Sequence, residues 1–96
     1  MFSGCYTALI TPFTADKGVD EAGLEKLIEF QVSQGVSGVL AVGTTGESPT
    51  LNWEEHNRVT KRVCALVKGH GRAIAGTGSN STEETMRGTE HAAHAG

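Results

Sequence analysis

Three short apolar runs, each closed by a glycine or proline turn and each followed by a helical pattern, constrain this chain more than any other feature. The first is Tyr6-Thr7-Ala8-Leu9-Ile10, stopped by Thr11-Pro12, where proline cannot donate to a sheet ladder. The second is Gly38-Val39-Leu40-Ala41-Val42, stopped by Gly43, and the third is Arg72-Ala73-Ile74-Ala75, stopped by Gly76. None shows the polar alternation of a half-exposed strand, so parallel strands covered above and below are expected.

The segments between them carry helix starts and stops. Asp20 is placed to cap a helix that buries Leu24, Leu27, Ile28 and Val32 and ends at Gly35. Asn52 followed by Glu55 reads as a capping box, opening a helix that buries Val59, Val63, Leu66 and Val67 and stops at Gly69. Ser81 with Glu84 reads as a second capping box, for a helix running through Met86, Thr89 and Ala93 towards Gly96. The order is therefore βαβαβα, with neighbouring strands about 35 residues apart, the length of one βαβ unit. Repeated units of this kind imply a parallel α/β sheet.

Two architectures suit that order. An open sheet could carry helices on both faces. A barrel would keep every helix outside, and this chain would then supply three of the eight units of a (β/α)₈ barrel. Such a piece would leave two unpaired edges and an apolar face open to water.

Composition narrows the function classes. Eight Lys+Arg against 11 Asp+Glu give a formal net charge of -3, and the basic residues form no run, so neither nucleic acid nor an anionic membrane is expected as a partner. The longest apolar run, Val39 to Val42, is far short of the ~20 residues that cross a bilayer. Met1-Phe2-Ser3-Gly4 has no basic segment leading into an apolar stretch, so no signal peptide is expected and the chain is placed in the cytoplasm. Cys5 and Cys64 read as small buried apolar residues in a reducing compartment. His91 and His94 lie three apart on the last helical pattern, but two ligands from one helix make a weak metal site and none is expected.

In parallel α/β folds, ligands sit beyond the carboxyl ends of the strands. Those ends present Thr11-Pro12, Gly43-Thr44-Thr45-Gly46-Glu47-Ser48 and Gly76-Thr77-Gly78-Ser79-Asn80. The middle turn combines two glycines, two adjacent hydroxyls and several amide N–H groups, a set suited to a carboxylate held by neutral donors. It equally suits a plain glycine turn capped by threonines. Nucleotide loops fit poorly. Thr44 stands where a Walker A loop requires lysine, and Ser81 occupies the third glycine position of a dinucleotide fingerprint.

The phrase Gly43-Thr44-Thr45-Gly46-Glu47-Ser48 after Val39-Leu40-Ala41-Val42 resembles the signature of the dihydrodipicolinate synthase family, among the pyruvate-dependent class I aldolases and N-acetylneuraminate lyases. Ala8-Leu9-Ile10-Thr11-Pro12, Glu55-His56 and Ala75-Gly76-Thr77-Gly78-Ser79-Asn80 match in register over all 96 residues. The related sialic-acid lyases usually carry serine at the first threonine of the turn, so the Thr44-Thr45 pair points to the synthase branch. The resemblance implies the N-terminal βαβαβα portion of a TIM barrel, residues 1–96. It further implies a homo-oligomeric lyase of lysine (diaminopimelate) biosynthesis that condenses pyruvate with aspartate semialdehyde through a Schiff base, without a cofactor. Thr44 and Thr45 would hold the pyruvate carboxylate, and the Thr44 hydroxyl would relay protons between tyrosines. A hydroxyl suits that task because it donates and accepts at once. Glu47 is read as structural, orienting the turn.

The family's Schiff-base lysine sits on the sixth strand, and its relay tyrosine and semialdehyde-binding arginine on the fourth and fifth units. Lys17, Lys26, Lys61 and Lys68 fall in a loop or on helices and do not replace that lysine, so the 96 residues alone are expected to be inactive. The resemblance also implies an allosteric site for lysine at a subunit interface, formed by Ser48, Trp53, His56, Asn80 and Glu84, with Pro49 at a position that is often alanine. An acid for the ammonium, polar groups for the carboxylate and an aromatic wall make chemical sense there. Glu84 also has a simpler role as a capping residue, and Trp53 and His56 as the closing turn of their helix. Two further readings remain open: a stand-alone small anion-binding α/β module, and an inactive structural fragment.

Overall fold

A computed structural model describes residues 2–96. Strand β1 covers Tyr6–Ala8, helix α1 Glu21–Ser33, strand β2 Gly38–Ala41, helix α2 Trp53–Val67, strand β3 Arg72–Ala75 and helix α3 Thr82–Ala95, with a 3₁₀ turn at Ser48–Thr50. The sheet order is β1-β2-β3, all parallel. Tyr6 pairs with Gly38 and Gly38 with Arg72, and two residues on Ala8, Leu40 and Ile74 lie abreast.

Because the strand order never reverses, successive right-handed crossovers deposit their helices on the same side. Helix α1 packs on α2, and α2 on α3. The core is therefore one-sided: Leu9, Val39, Ala41 and Val42 from the sheet meet Leu24, Ile28, Val59, Val63 and Val67 from the helices. Alternation along the strands sends Ala8, Leu40 and Ile74 to the opposite face. Ala8 is exposed, Leu40 and Ile74 are half-buried, and Ile10 beyond them is 56% exposed. Within these residues helices cover one face only, which leaves open the apolar face that was expected of a barrel piece.

Local signals account for the helix starts. The Asp20 carboxylate accepts the Gly23 N–H at 2.9 Å. At α2 the reciprocal box is complete, with Asn52 Oδ1 accepting from Glu55 N at 2.8 Å and Glu55 Oε1 from Asn52 N at 3.1 Å. At α3 it is half formed. Ser81 Oγ accepts from Glu84 N at 3.3 Å, but the Glu84 carboxylate takes the Ser79 hydroxyl at 2.5 Å, and Ser81 N donates to Ser79 Oγ instead.

Helix α3 turns Gly88 into the protein, where the Trp53 ring leaves no room for a side chain, while Met86, Thr89 and Ala93 stay exposed. Two further expectations change. Cys5 is exposed rather than buried, since it lies just before β1 and is held through its backbone to Ser37. Cys64 is half-buried, and desolvation pushes its thiol pKa up. Strand β1 ends at Ala8, short of Ile10, and β2 at Ala41, where Val42 turns left-handed. Two ion pairs link α1 to α2, Glu21–Arg58 at 3.1 Å and Glu25–Arg62 at 3.0 Å. Their half-exposed side chains limit each to about 1 kcal/mol or less, so apolar burial carries the packing.

The tightest point of the sheet is Gly38, where a Cβ would meet the Arg72 carbonyl at 2.4 Å and the Tyr6 ring at 2.5 Å. Gly38→Ala should lower unfolding free energy by about 1–3 kcal/mol in urea denaturation. Gly78→Ala, with open space around it, should change it by less than about 0.5 kcal/mol.

Candidate functional site

All three strands point their carboxyl ends at one rim, and two features stand there. The first is the turn after β2. Val42 is 1% exposed and takes φ 49°, a left-handed conformation that a β-branched side chain rarely adopts. This kink stops the ladder and lifts the next residues over the strand tips. Glu47 N donates to Thr44 O at 3.0 Å and Ser48 N to Gly43 O at 3.3 Å, closing the turn, and Glu47 itself has φ 60°. Thr44 and Thr45 come out exposed at the rim.

Two glycines press on the kink. A Cβ on Gly46 would lie 3.1 Å from Val42 Cα and 3.2 Å from Leu9 O, and one on Gly76 would lie 2.5 Å from the Val42 carbonyl. Each of these glycines has its carbonyl occupied by a buried side chain from elsewhere. The Thr11 hydroxyl donates to Gly46 O at 2.7 Å, and His56 Nε2 donates to Gly76 O at 2.7 Å. A carbonyl only accepts, so His56 carries a proton on Nε2. The left-handed Val42 and the Thr11 bond escape sequence inspection: the motif Thr11-Pro12 marks a strand end, but nothing in it names a partner 35 residues away.

The second feature is a cleft of about 480 Å³ between the 3₁₀ turn, the start of α2 and the loop before α3. All five residues expected for a regulatory site, Ser48, Trp53, His56, Asn80 and Glu84, line it together with Pro49, Leu51, Gly78 and Ser79. Pro49 sits in the first turn of its 3₁₀ segment, where its missing N–H is not needed. The Trp53 and His56 rings lie 4.5 Å apart and tilted, forming an aromatic part of a lining that also includes Glu84. Ser79, which sequence reasoning missed, holds Glu84 by its hydroxyl. Among the described residues, no group of three His, Cys, Asp or Glu side chains is close enough to bind a metal. No described helix is long and apolar enough to cross a membrane.

Trp53 is the chain's only tryptophan, and a Cβ on Gly88 would meet its ring at 2.7 Å. Gly88→Ala should therefore displace the indole into the cleft. The expected readout is a red-shifted emission with stronger acrylamide quenching, unchanged far-UV circular dichroism and a stability loss of about 1–3 kcal/mol.

The whole chain, residues 1–96, matches the model of the dihydrodipicolinate synthetase family. It is 56% identical over 86 residues to a 4-hydroxy-tetrahydrodipicolinate synthase of Methanocaldococcus jannaschii, covering 90% of this chain and 29% of that protein. The chloride-inhibited dihydrodipicolinate synthase of Acinetobacter baumannii, complexed with pyruvate, superposes with a TM-score of 0.93 at 44% identity, over 97% of this chain and 32% of that one. The synthase of Cyanidioschyzon merolae with lysine bound gives 0.93 at 40% identity, over 99% of this chain and 33% of that one. The chain thus spans about a third of the length of the relatives it matches. The strand order and one-sided helical layer are those of the front part of their TIM barrels, as the family resemblance implied. By sequence, by fold and over its full length, the chain belongs to the dihydrodipicolinate synthetase family.

Proposed function

We propose that this chain is the carboxylate-binding front of a lyase that condenses pyruvate with aspartate semialdehyde through a Schiff base, in lysine biosynthesis. The observation that carries the reading is the exposed Thr44-Thr45 pair on a closed turn at the carboxyl end of β2. Two neighbouring hydroxyls and the turn's amides offer a keto-acid carboxylate several neutral donors. Because the turn is already closed by its own backbone bonds, little reorganisation accompanies binding. The pyruvate complex of the Acinetobacter baumannii relative supports the choice of keto acid.

The chemistry then divides. Imine formation requires an unprotonated amine held where burial or a cationic neighbour lowers its pKa. Lys26, Lys61 and Lys68 are exposed on or at the end of helices, and Lys17 is exposed in the loop after β1. None ends a strand. The reactive lysine therefore lies outside these 96 residues, and the Thr44 hydroxyl contributes by passing a proton between groups that other units supply. The three βα units, residues 1–96, form one part of a barrel domain. The bare apolar face at Ala8, Leu40 and Ile74 fits a barrel interior better than a stand-alone module. The complete enzyme works as a cytoplasmic homo-oligomer without a cofactor.

The same reading assigns the second cleft to lysine as a feedback inhibitor. Glu84 faces the ammonium, Ser48 and Asn80 supply polar contacts, and the Trp53–His56 wall packs the aliphatic stem. The lysine complex of the Cyanidioschyzon merolae relative supports this assignment.

Incubation with pyruvate and borohydride followed by intact-mass measurement should leave this chain unmodified; a covalent adduct at one defined lysine would refute the placement of the nucleophile. Lysine should shift Trp53 emission saturably, and Glu84→Gln should raise the half-saturating concentration about tenfold or more through loss of a charged partner. An emission spectrum indifferent to lysine would remove the regulatory assignment.

A further inference from the structure

We propose that Thr11 is a positioning residue for the Thr44-Thr45 turn: its buried hydroxyl latches the Gly46 carbonyl and so holds the left-handed kink at Val42 that presents the two threonines. The inference rests on the carboxylate reading of that turn and goes beyond it by naming what sets the turn's geometry.

A β-branched residue in the left-handed region persists only where its surroundings over-determine it. Val42 is such a residue, with φ 49° and 1% exposure. On one side Gly76 closes against its carbonyl, and on the other Gly46 closes against its Cα and N. The 3.0 and 3.3 Å bonds of Glu47 N and Ser48 N close the turn on itself but do not fasten Gly46 to the neighbouring strand end. Thr11 supplies that tie. It is 4% exposed, and its hydroxyl reaches Gly46 O at 2.7 Å from a different strand end. Its backbone is set in advance. A residue before proline is confined to extended conformations, and Pro12 O is fastened at 2.9 Å by the N–H of Asp20, the cap of α1. Without the hydroxyl, the carbonyl of the buried Gly46 loses its Thr11 donor. Rotation of the Gly46–Glu47 peptide towards another donor would then carry Thr45 and Thr44 with it.

As a positioning residue, Thr11 does not itself touch the ligand. Its loss should weaken carboxylate binding and leave the chemical step to groups elsewhere. Thr11→Val removes the hydroxyl while keeping the branched shape, and Thr11→Ser keeps the hydroxyl.

Two measurements decide the matter. In this chain, amide hydrogen exchange at Glu47 and Ser48 should run about tenfold faster in Thr11→Val and return towards the parent rate in Thr11→Ser. Equal rates in all three chains, protected or not, overturn the latch. In a synthase made by placing these residues in the matching segment of the Methanocaldococcus jannaschii relative, Thr11→Val should raise KM for pyruvate about tenfold with kcat within about twofold, and Thr11→Ser should restore KM. A fall in kcat at constant KM overturns the positioning role. Faster exchange with unchanged KM upholds the latch and overturns the carboxylate reading of the turn. A graft without turnover counts against that reading too, while the exchange comparison still decides the latch.

Discussion

Each strand of this chain pairs only with its neighbour in sequence, and all run the same way. From that pairing the rest of the architecture follows. Parallel neighbours need a crossover between them, and each crossover here is a helix. Crossovers of one hand, taken in one direction, put the helices in a single layer. The core then forms between that layer and one sheet face, with Val39 and Val63 fully enclosed at 0% exposure. The same pairing sends every carboxyl end to one rim and leaves Ala8, Leu40 and Ile74 without a covering layer. The rim gathers chemistry and the bare face asks for more sheet, and both arise from one topological fact.

At the rim, packing and polarity are coupled through very close backbone approach. Gly46 and Gly76 lack side chains because Val42 occupies the space between them. Such proximity buries peptide carbonyls, and buried carbonyls need donors. Thr11 and His56, 4% and 2% exposed, are the donors. Each is a polar residue inside an apolar cluster, and each is explained by the glycine it serves. His56 also forms part of the wall of the second cleft, so the cleft and the Thr44-Thr45 turn share the Val42 kink as a common support. A change at one has a short covalent and hydrogen-bonded route to the other.

Where reading the sequence succeeded, the governing interactions were local. The caps at Asp20 and Asn52 bond to residues three positions on, so their spacing announces them. Glu84 shows the limit of that logic. Its distance from Ser81 matches a capping box, yet its carboxylate chose the Ser79 hydroxyl, a competitor the pattern does not include. Helix α3 shows another limit. Nothing in its sequence marks Gly88 as the inward residue, because the partner surface is the flat ring of Trp53, 35 positions away.

The sequence by itself determined the alternation of strands and helices, the parallel sheet, the rim on which the turn residues stand, and the set of residues that meet in the second cleft. These rest on hydrophobic period, caps and turn residues, which act over three or four positions, and on a motif match that ran the length of the chain. Tertiary structure alone decided which sheet face is covered, which side of α3 turns inward, the exposure of Cys5, the left-handed Val42 and the partners of Thr11 and His56. Those depend on contacts between residues 20 or more positions apart, such as Thr11 with Gly46 and His56 with Gly76. Local preference is silent about such contacts, because whether a buried hydroxyl or imidazole finds an acceptor is settled only when two distant backbones close on the same space.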